Sequence, residues 1–343
     1  MKFSKKIVVS ILLIQIVSSL VHSYLNHYQY LNVLKTTIEK KECDTNYLVG
    51  TIFNELREKY SNYAKELLLD PKILDAFANA DRQKLYQLSE PIYKSLKRSD
   101  KYLYIMNFYT TDTHAFLRMN KPEQFGGNLQ SFRKMIVRTN ETKEAQYGVE
   151  SGKHGLFYRV MFPVFKDGVH IGVFEFGVDI KYLMSRLSIL NLNTPMLLIT
   201  KKAAAPMYMY DENVNDYFDE FTNEYVILKF DTSRDKDVSI ADVVDKQIIE
   251  KSSYIVKIDF SDYLLYRGYA LQDYKNSPIG HFVFMEKMDY YMDTIVFVRR
   301  VSILTTALLL IVIILLLYKL ISDYAREIMI QKDILDYRTH YDS

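Results

Sequence analysis

The chain of 343 residues has one cysteine, Cys43, so no disulfide can form within it. A free, partly buried thiol is the expectation there. Excess charge is also missing. The 44 basic side chains meet 42 acidic ones, which argues against a dedicated nucleic-acid binder, since that needs a basic surface. No GxSxG, HExxH, P-loop or GxGxxG occurs, and Gly126-Gly127 lacks the strand-to-helix context that cradles phosphate. His114 has no second His or Cys at ligand spacing, which argues against a metal. No nucleophile and base stand together, so neither catalytic residues nor a cofactor are expected. Proline is absent from Tyr28 to Leu69, so no proline ring interrupts a helix there.

Long apolar runs are what the chain does have. Val301 to Ile321 (VSILTTALLLIVIILLLYKLI) carries one charge, Lys319, placed at its end where it can snorkel. About 20 such residues span a hydrocarbon core of ~30 Å. Ile7 to Leu25 is apolar too, though interrupted by Gln15, Ser18, Ser19 and His22, and Lys2, Lys5 and Lys6 precede it. No small-x-small cleavage site follows, so an uncleaved anchor is expected rather than a signal peptide. The basic N-terminus places residues 1–6 in the cytoplasm. Two spans, 7–25 and 301–321, then put residues 26–300 outside and return 322–343 to the cytoplasm. Lys319, Arg326, Lys332 and Arg338 agree with this, whereas Arg299 and Arg300 lie on the outer flank.

Between the spans the pattern changes twice. Ile52, Leu56, Tyr60, Tyr63 and Leu67 recur at helical spacing, so a long helix leaves the first span. Asp70-Pro71 reads as a stop and restart, with Asp as N-cap and Pro at the first helical position. Shorter helices follow, completing a helical segment over 26–99. Tyr102 to Tyr109 (YLYIMNFY) has strand composition. Gly155–Phe165 and Val169–Val178 flank Asp167-Gly168, the pair favoured in a two-residue hairpin turn. Asp179 to Leu190 reads as a helix that closes a first module, 100–190, and Asn191 to Pro195 as a linker. A weaker copy of the same grammar fills 196–290, with strands at Met196–Thr200, Ser253–Ile258, Tyr263–Gln272 and Ile279–Lys287. Tyr290 to Val298 then runs helically into the second span.

The motifs HAFLRMNKPEQFG (His114 to Gly126), NLQSFRK (Asn128 to Lys134), YGVESGKHGLFYRVMFPVF (Tyr147 to Phe165) and GVHIGVFEFGVD (Gly168 to Asp179) stand in the first module. This stretch resembles the double Cache sensor domain of bacterial sensor kinases, chemoreceptors and cyclic-dinucleotide enzymes. The resemblance implies an α+β fold: a long N-terminal helix and two tandem PAS-like modules with antiparallel sheets, flanked here by two transmembrane helices. It also implies a two-pass protein of the bacterial inner membrane, with the sensor periplasmic or extracellular and the ligand in the membrane-distal module.

Arg118, Arg133 and Arg159 lie within that module, and converging guanidinium groups would hold a carboxylate. The alternative is structural pairing with Glu123, Glu150 and Glu175. Glu175 alternates with Phe174 and Phe176, so it faces away from them. If both sheet faces are covered, it must be paired by an arginine or by a ligand amine. Tyr104, Phe108, His114, Phe116 and Tyr158 are candidate pocket walls, although an aromatic stripe equally describes a core. In related sensors an acidic residue near Asp179 contacts a ligand amine. The plainer role for Asp179 is the N-cap of the next helix.

Ile321 and, within Ser322 to Ser343, Ile328, Ile330, Leu335 and Tyr337 form a partly heptad pattern, suited to a parallel dimer stalk. Tyr337 to Ser343 (YRTHYDS) resembles the segment ahead of the catalytic domain of GGDEF diguanylate cyclases. The expected function is sensing a small carboxylate or amino acid outside the membrane, as a homodimer, on behalf of such a cyclase. A histidine kinase or chemoreceptor output, or a membrane-tethered solute binder without output, is the alternative.

Overall fold

A computed structural model describes residues 2–152, 155–190, 196–204, 218–228, 240–259 and 261–341. The chain divides into two compact units. One is Glu39–Lys287, and the other joins Met1–Ile38 to Met288–Ser343.

Helix α1 (Lys2–Leu68) contributes to both units. Its helical stripe in the larger unit buries Ile52, Leu56, Tyr60 and Leu67, as the spacing predicts. Each such apolar burial contributes about 1.5–3 kcal/mol. Tyr60 also donates its hydroxyl proton to Asp100 at 2.8 Å, and Lys59 reaches the same carboxylate at 2.9 Å. Helix α2 (Pro71–Ala78) starts as expected: Asp70 accepts from the Lys72 amide at 2.9 Å and Pro71 opens the first turn. Helix α3 (Arg82–Ser99) follows.

The first sheet contains β1 (Leu103–Tyr109), β2 (Ala115–Arg118), β3 (Gln146–Gly152), β4 (Gly155–Lys166) and β5 (Val169–Asp179), in the spatial order β2-β1-β5-β4-β3. All its pairings are antiparallel. Asp167 and Gly168 turn the β4–β5 hairpin with φ of 49° and 79°, the positive values a two-residue turn demands. Helix α4 (Lys134–Thr142) precedes β3, and α5 (Lys181–Leu190) follows β5.

The second sheet takes β6 (Met196–Lys201), β7 (Phe218–Glu220), β8 (Tyr225–Leu228), β9 (Ser253–Ile258), β10 (Ser261–Gln272) and β11 (Pro278–Lys287). Its order, β7-β8-β6-β11-β10-β9, repeats that of the first sheet with one added edge strand. The shared strand grammar read from the sequence is therefore a shared topology. Short helices α6 (Ile240–Val243) and α7 (Gln247–Glu250) cover one face. The linker at 191–195 lies outside the described residues.

In the smaller unit, α8 (Asp289–Tyr341) is one helix. Among the described residues, one helical stretch is long and apolar enough to cross a membrane, Val296–Tyr337, which holds an 18-residue run with a mean hydropathy of 2.8. The earlier span, 7–25, is helical within α1. Its side chains at 7–9 and 12 lie outside the described residues. Asn26 donates to Ser302 Oγ at 2.9 Å, joining α1 to α8 in this unit. Cys43 is free but exposed on α1, not partly buried as expected.

Candidate ligand cavity

Residue parity in the first sheet sorts its side chains onto two faces. On one, Phe176 packs on Tyr60 of α1 with ring centroids 5.2 Å apart, and Phe108 packs on Phe77 of α2 at 5.3 Å. On the other lie Asn107, Tyr109, Phe157, Arg159 and Glu175, since neighbouring strands in register share a face. Two α-helices cover the first face. The second is only partly covered, by α4 and the segment 119–133, and a cavity of about 200 Å³ remains there.

A buried network of four charges underlies this cavity. Arg133 Nη2 reaches Glu175 Oε1 at 2.7 Å and Arg133 Nε reaches Glu150 Oε2 at 2.9 Å. Arg159 donates from Nη1 to Glu175 Oε1 and from Nε to the Glu150 carbonyl, the latter at 3.1 Å. Glu150 also accepts from the Met135 amide at 2.9 Å, which anchors the start of α4. Tyr109 donates its hydroxyl to Glu175 Oε2 and accepts from Asn107 Nδ2 at 2.8 Å. Arg159 is 1% exposed and Glu175 0%, so neither charge has bulk water to solvate it. Gly152 makes room for the arrangement, because a Cβ there would lie 2.6 Å from Arg159 Nη2.

The electrostatics follow from burial and pairing. Burial alone would push the Glu175 carboxyl up, but Arg133 and Arg159 outweigh it and hold the group below the usual carboxylate range. Burial would likewise discharge Arg133. Glu175, Tyr109 and Glu150 instead keep it protonated well above its ordinary value. The Tyr109 phenol is pushed up to about 12, by burial first and then by Glu175.

The cavity wall carries Arg118, Lys121, Arg133 and Arg159, with the amides of Asn107, Asn120 and Gln124. Tyr104, Phe132 and Phe157 give it aromatic surface. No Asp or Glu stands among the described lining residues. Of the residues singled out in the sequence, the structure brings together Tyr104, Arg118, Arg133 and Arg159, with Glu175 directly behind them. It does not bring Phe108, Phe116, Tyr158, His114 or Asp179 to the described wall. Phe108 and Phe116 pack on Phe77, and Tyr158 stacks on Phe53 of α1 at 5.0 Å. His114 meets Asp112 at 3.1 Å in the β1–β2 turn. Asp179 accepts from the Lys181 amide at 2.9 Å at the start of α5, and burial raises its pKa. Sequence reading missed Asn107, Lys121 and Phe157. Alternation in step with Arg159 would have identified Phe157 as its face-mate.

The sequence model of the family described as "double sensory domain of two-component sensor kinase" (dCache_3) matches residues 40–292. Among solved structures, a domain of a sensory box/GGDEF family protein from Vibrio parahaemolyticus is similar at 14% identity. That likeness covers 74% of this chain and 98% of that one, with a TM-score of 0.40. The sensor domain of the V. cholerae histidine kinase DctB is similar at 11% identity, covering 73% and 97%, with a TM-score of 0.42. The isoleucine-bound sensory domain of a Campylobacter jejuni chemoreceptor is similar at 10% identity, covering 76% and 97%, with a TM-score of 0.41. No curated protein sequence matches the chain.

Proposed function

This chain belongs to the double Cache family of sensory domains, which bind ligands in signal transduction, and from that premise we propose that its first-sheet cavity senses a small carboxylate. One observation carries the reading. Four cationic side chains line a cavity of about 200 Å³ whose described wall holds no carboxylate. The two glutamates nearby are committed to arginines, so the net field at the wall favours an anion. Arg133 and Arg159 are held by these glutamates and act as a fixed positive floor. Arg118, which donates to the Gln124 carbonyl at 3.1 Å, and Lys121 sit on the segment over the cavity. These two are the cations best placed to close on a ligand.

The test is a thermal-shift series on the full chain in detergent micelles, with small carboxylates and their neutral amides. Carboxylates at about 100 times Kd should stabilise by roughly 2.7 kcal/mol, and the amides should not. Arg118→Ala and Lys121→Ala should each weaken binding about tenfold or more, since a charge-assisted hydrogen bond contributes about 1.5–3 kcal/mol. If no carboxylate raises the melting temperature, or the double variant responds like wild type, the reading fails.

The finer reading is a two-pass membrane sensor with both termini in the cytoplasm. The uncovered apolar side chains of α1, such as Ile14 and Leu20, and of α8, such as Leu304 and Leu308, support membrane insertion. The Asn26–Ser302 bond, which joins the end of the first apolar run to the start of the second, supports pairing of the two. Reporter fusions at Thr200 and at the C-terminus test this topology, and a cytoplasmic signal at Thr200 would refute it. Ile321, Ile328 and Leu335, exposed at seven-residue spacing on α8, suit a paired stalk in a homodimer. The diguanylate cyclase output rests on the likeness of Tyr337 to Ser343 to the segment before that domain, with a kinase or chemoreceptor as the alternative.

A further inference from the structure

The hydroxyl proton of Tyr109 decides how Asn107 is oriented. Glu175, kept ionised by two arginines, can only accept hydrogen bonds. Its Oε2 takes the single proton of the Tyr109 hydroxyl. The Tyr109 oxygen is therefore left as an acceptor, and it receives Asn107 Nδ2 at 2.8 Å and Arg133 Nη1 at 3.4 Å. Turning the Asn107 amide over would set two acceptors against each other. Its Oδ1 thus faces away from Tyr109. That oxygen is buried with no partner among the described residues, on a side chain only 5% exposed that lines the cavity. A buried amide oxygen is costly to leave unmet, so what fills the cavity should supply a hydrogen.

Resting on the carboxylate reading above, we infer that Asn107 is the specificity residue of the cavity and that the ligand is a hydroxy acid, its carboxylate toward the cations and its hydroxyl donating to Asn107 Oδ1. The charge balance favours hydroxyl over ammonium. An ammonium would stand among Arg118, Lys121, Arg133 and Arg159 with only a neutral amide oxygen to receive it. The orienting chain Glu175–Tyr109–Asn107 lies on adjoining strands, with Asn107 directly opposite Glu175 in register. The sheet itself therefore holds the acceptor in place.

Skeleton-matched acids test this on the full chain in micelles by calorimetric titration: L-malate, succinate and L-aspartate, and L-lactate, propionate and L-alanine. Each set differs at one carbon, which bears hydroxyl, hydrogen or ammonium. Within the set that fits, the hydroxy acid should bind about tenfold more tightly than the plain acid, roughly the effect of one matched hydrogen bond, with the ammonium compound weakest. Asn107→Ala should abolish the tenfold advantage of the hydroxy acid over the plain acid. Should that variant not fold by circular dichroism, the wild-type ranking alone decides. Equal binding of hydroxy and plain acids, preference for the ammonium compound, or a preference that survives Asn107→Ala overturns the assignment and leaves the carboxylate reading standing. Binding by none of the six removes the carboxylate reading and this inference together.

Discussion

Glu175→Gln separates a structural charge network from a decorative one. The substitution keeps the shape of the side chain and removes one of two negative charges that balance Arg133 and Arg159 in the interior. One positive charge is left uncompensated in a site where Glu175 is 0% and Arg159 1% exposed. Breaking a buried pair by neutralising one partner costs about 3–5 kcal/mol. Hydrogen-bond geometry adds to the loss. The glutamine oxygen can take the arginines, but its NH2 then meets the Tyr109 hydroxyl, which must turn its proton away. For a unit of this size, about 2–4 °C accompanies each kcal/mol, so the melting temperature should fall by roughly 6–20 °C. Melting of the full chain followed by tyrosine near-UV circular dichroism measures this, with the exposed Glu141→Gln as control. Binding should move the other way. At equal folded fraction, carboxylate affinity should rise because the wall gains a net positive charge. A loss below about 1 kcal/mol, the value of a surface pair, or weaker carboxylate binding, would refute the reasoning.

Gly152→Ala places a Cβ 2.6 Å from Arg159 Nη2 and should cost about 1–3 kcal/mol by overpacking, while Gly127→Ala, which meets nothing within 4 Å, should be neutral in the same melting assay. Stability should fall with acid in two stages. His170 and His281 titrate below their ordinary 6.5 in the fold, through burial, so the unfolded chain takes up protons first and stability declines below about pH 6.5. Glu175 and Asp100, held low by their cationic and hydroxyl partners against the effect of burial, add a steeper loss below about pH 4, near the unfolded carboxylate values. A melting temperature unchanged from pH 7 to pH 4 would contradict this. Finally, the β10–β11 turn reaches the first sheet, where the Tyr274 amide donates to the Val149 carbonyl at 3.1 Å and its ring packs on the cluster around Met135 and Met161. Tyr274→Ala should lower amide-exchange protection at Glu150 and Ser151 without unfolding the second sheet, and unchanged protection there would show that the contact contributes nothing.

Local chemistry was legible in the sequence because its causes are local. The Asp167-Gly168 turn needs only positive φ, the Asp70-Pro71 restart only a cap and a fixed ring, and the apolar run at 301–321 only its length and hydropathy. Period-two alternation also showed that Glu175 must oppose Phe174 and Phe176, hence that it needed a partner. What alternation leaves undetermined is which face a sheet gives to helices and which to a cavity. That choice belongs to α1 and α2, which pack on Phe108 and Phe176 from far along the chain. Phe108, Phe116 and Tyr158 therefore went to the helical face, and Asn107 and Phe157 to the cavity. The pairing of Arg133 with Glu150 and Glu175, residues 17 and 42 positions away, likewise depends on strand order. The sequence alone determined the long helices, the β4–β5 hairpin, the sensor family and the need to neutralise Glu175. Only the tertiary structure, by closing one sheet face with helices and covering the other only in part, decided which residues line the cavity.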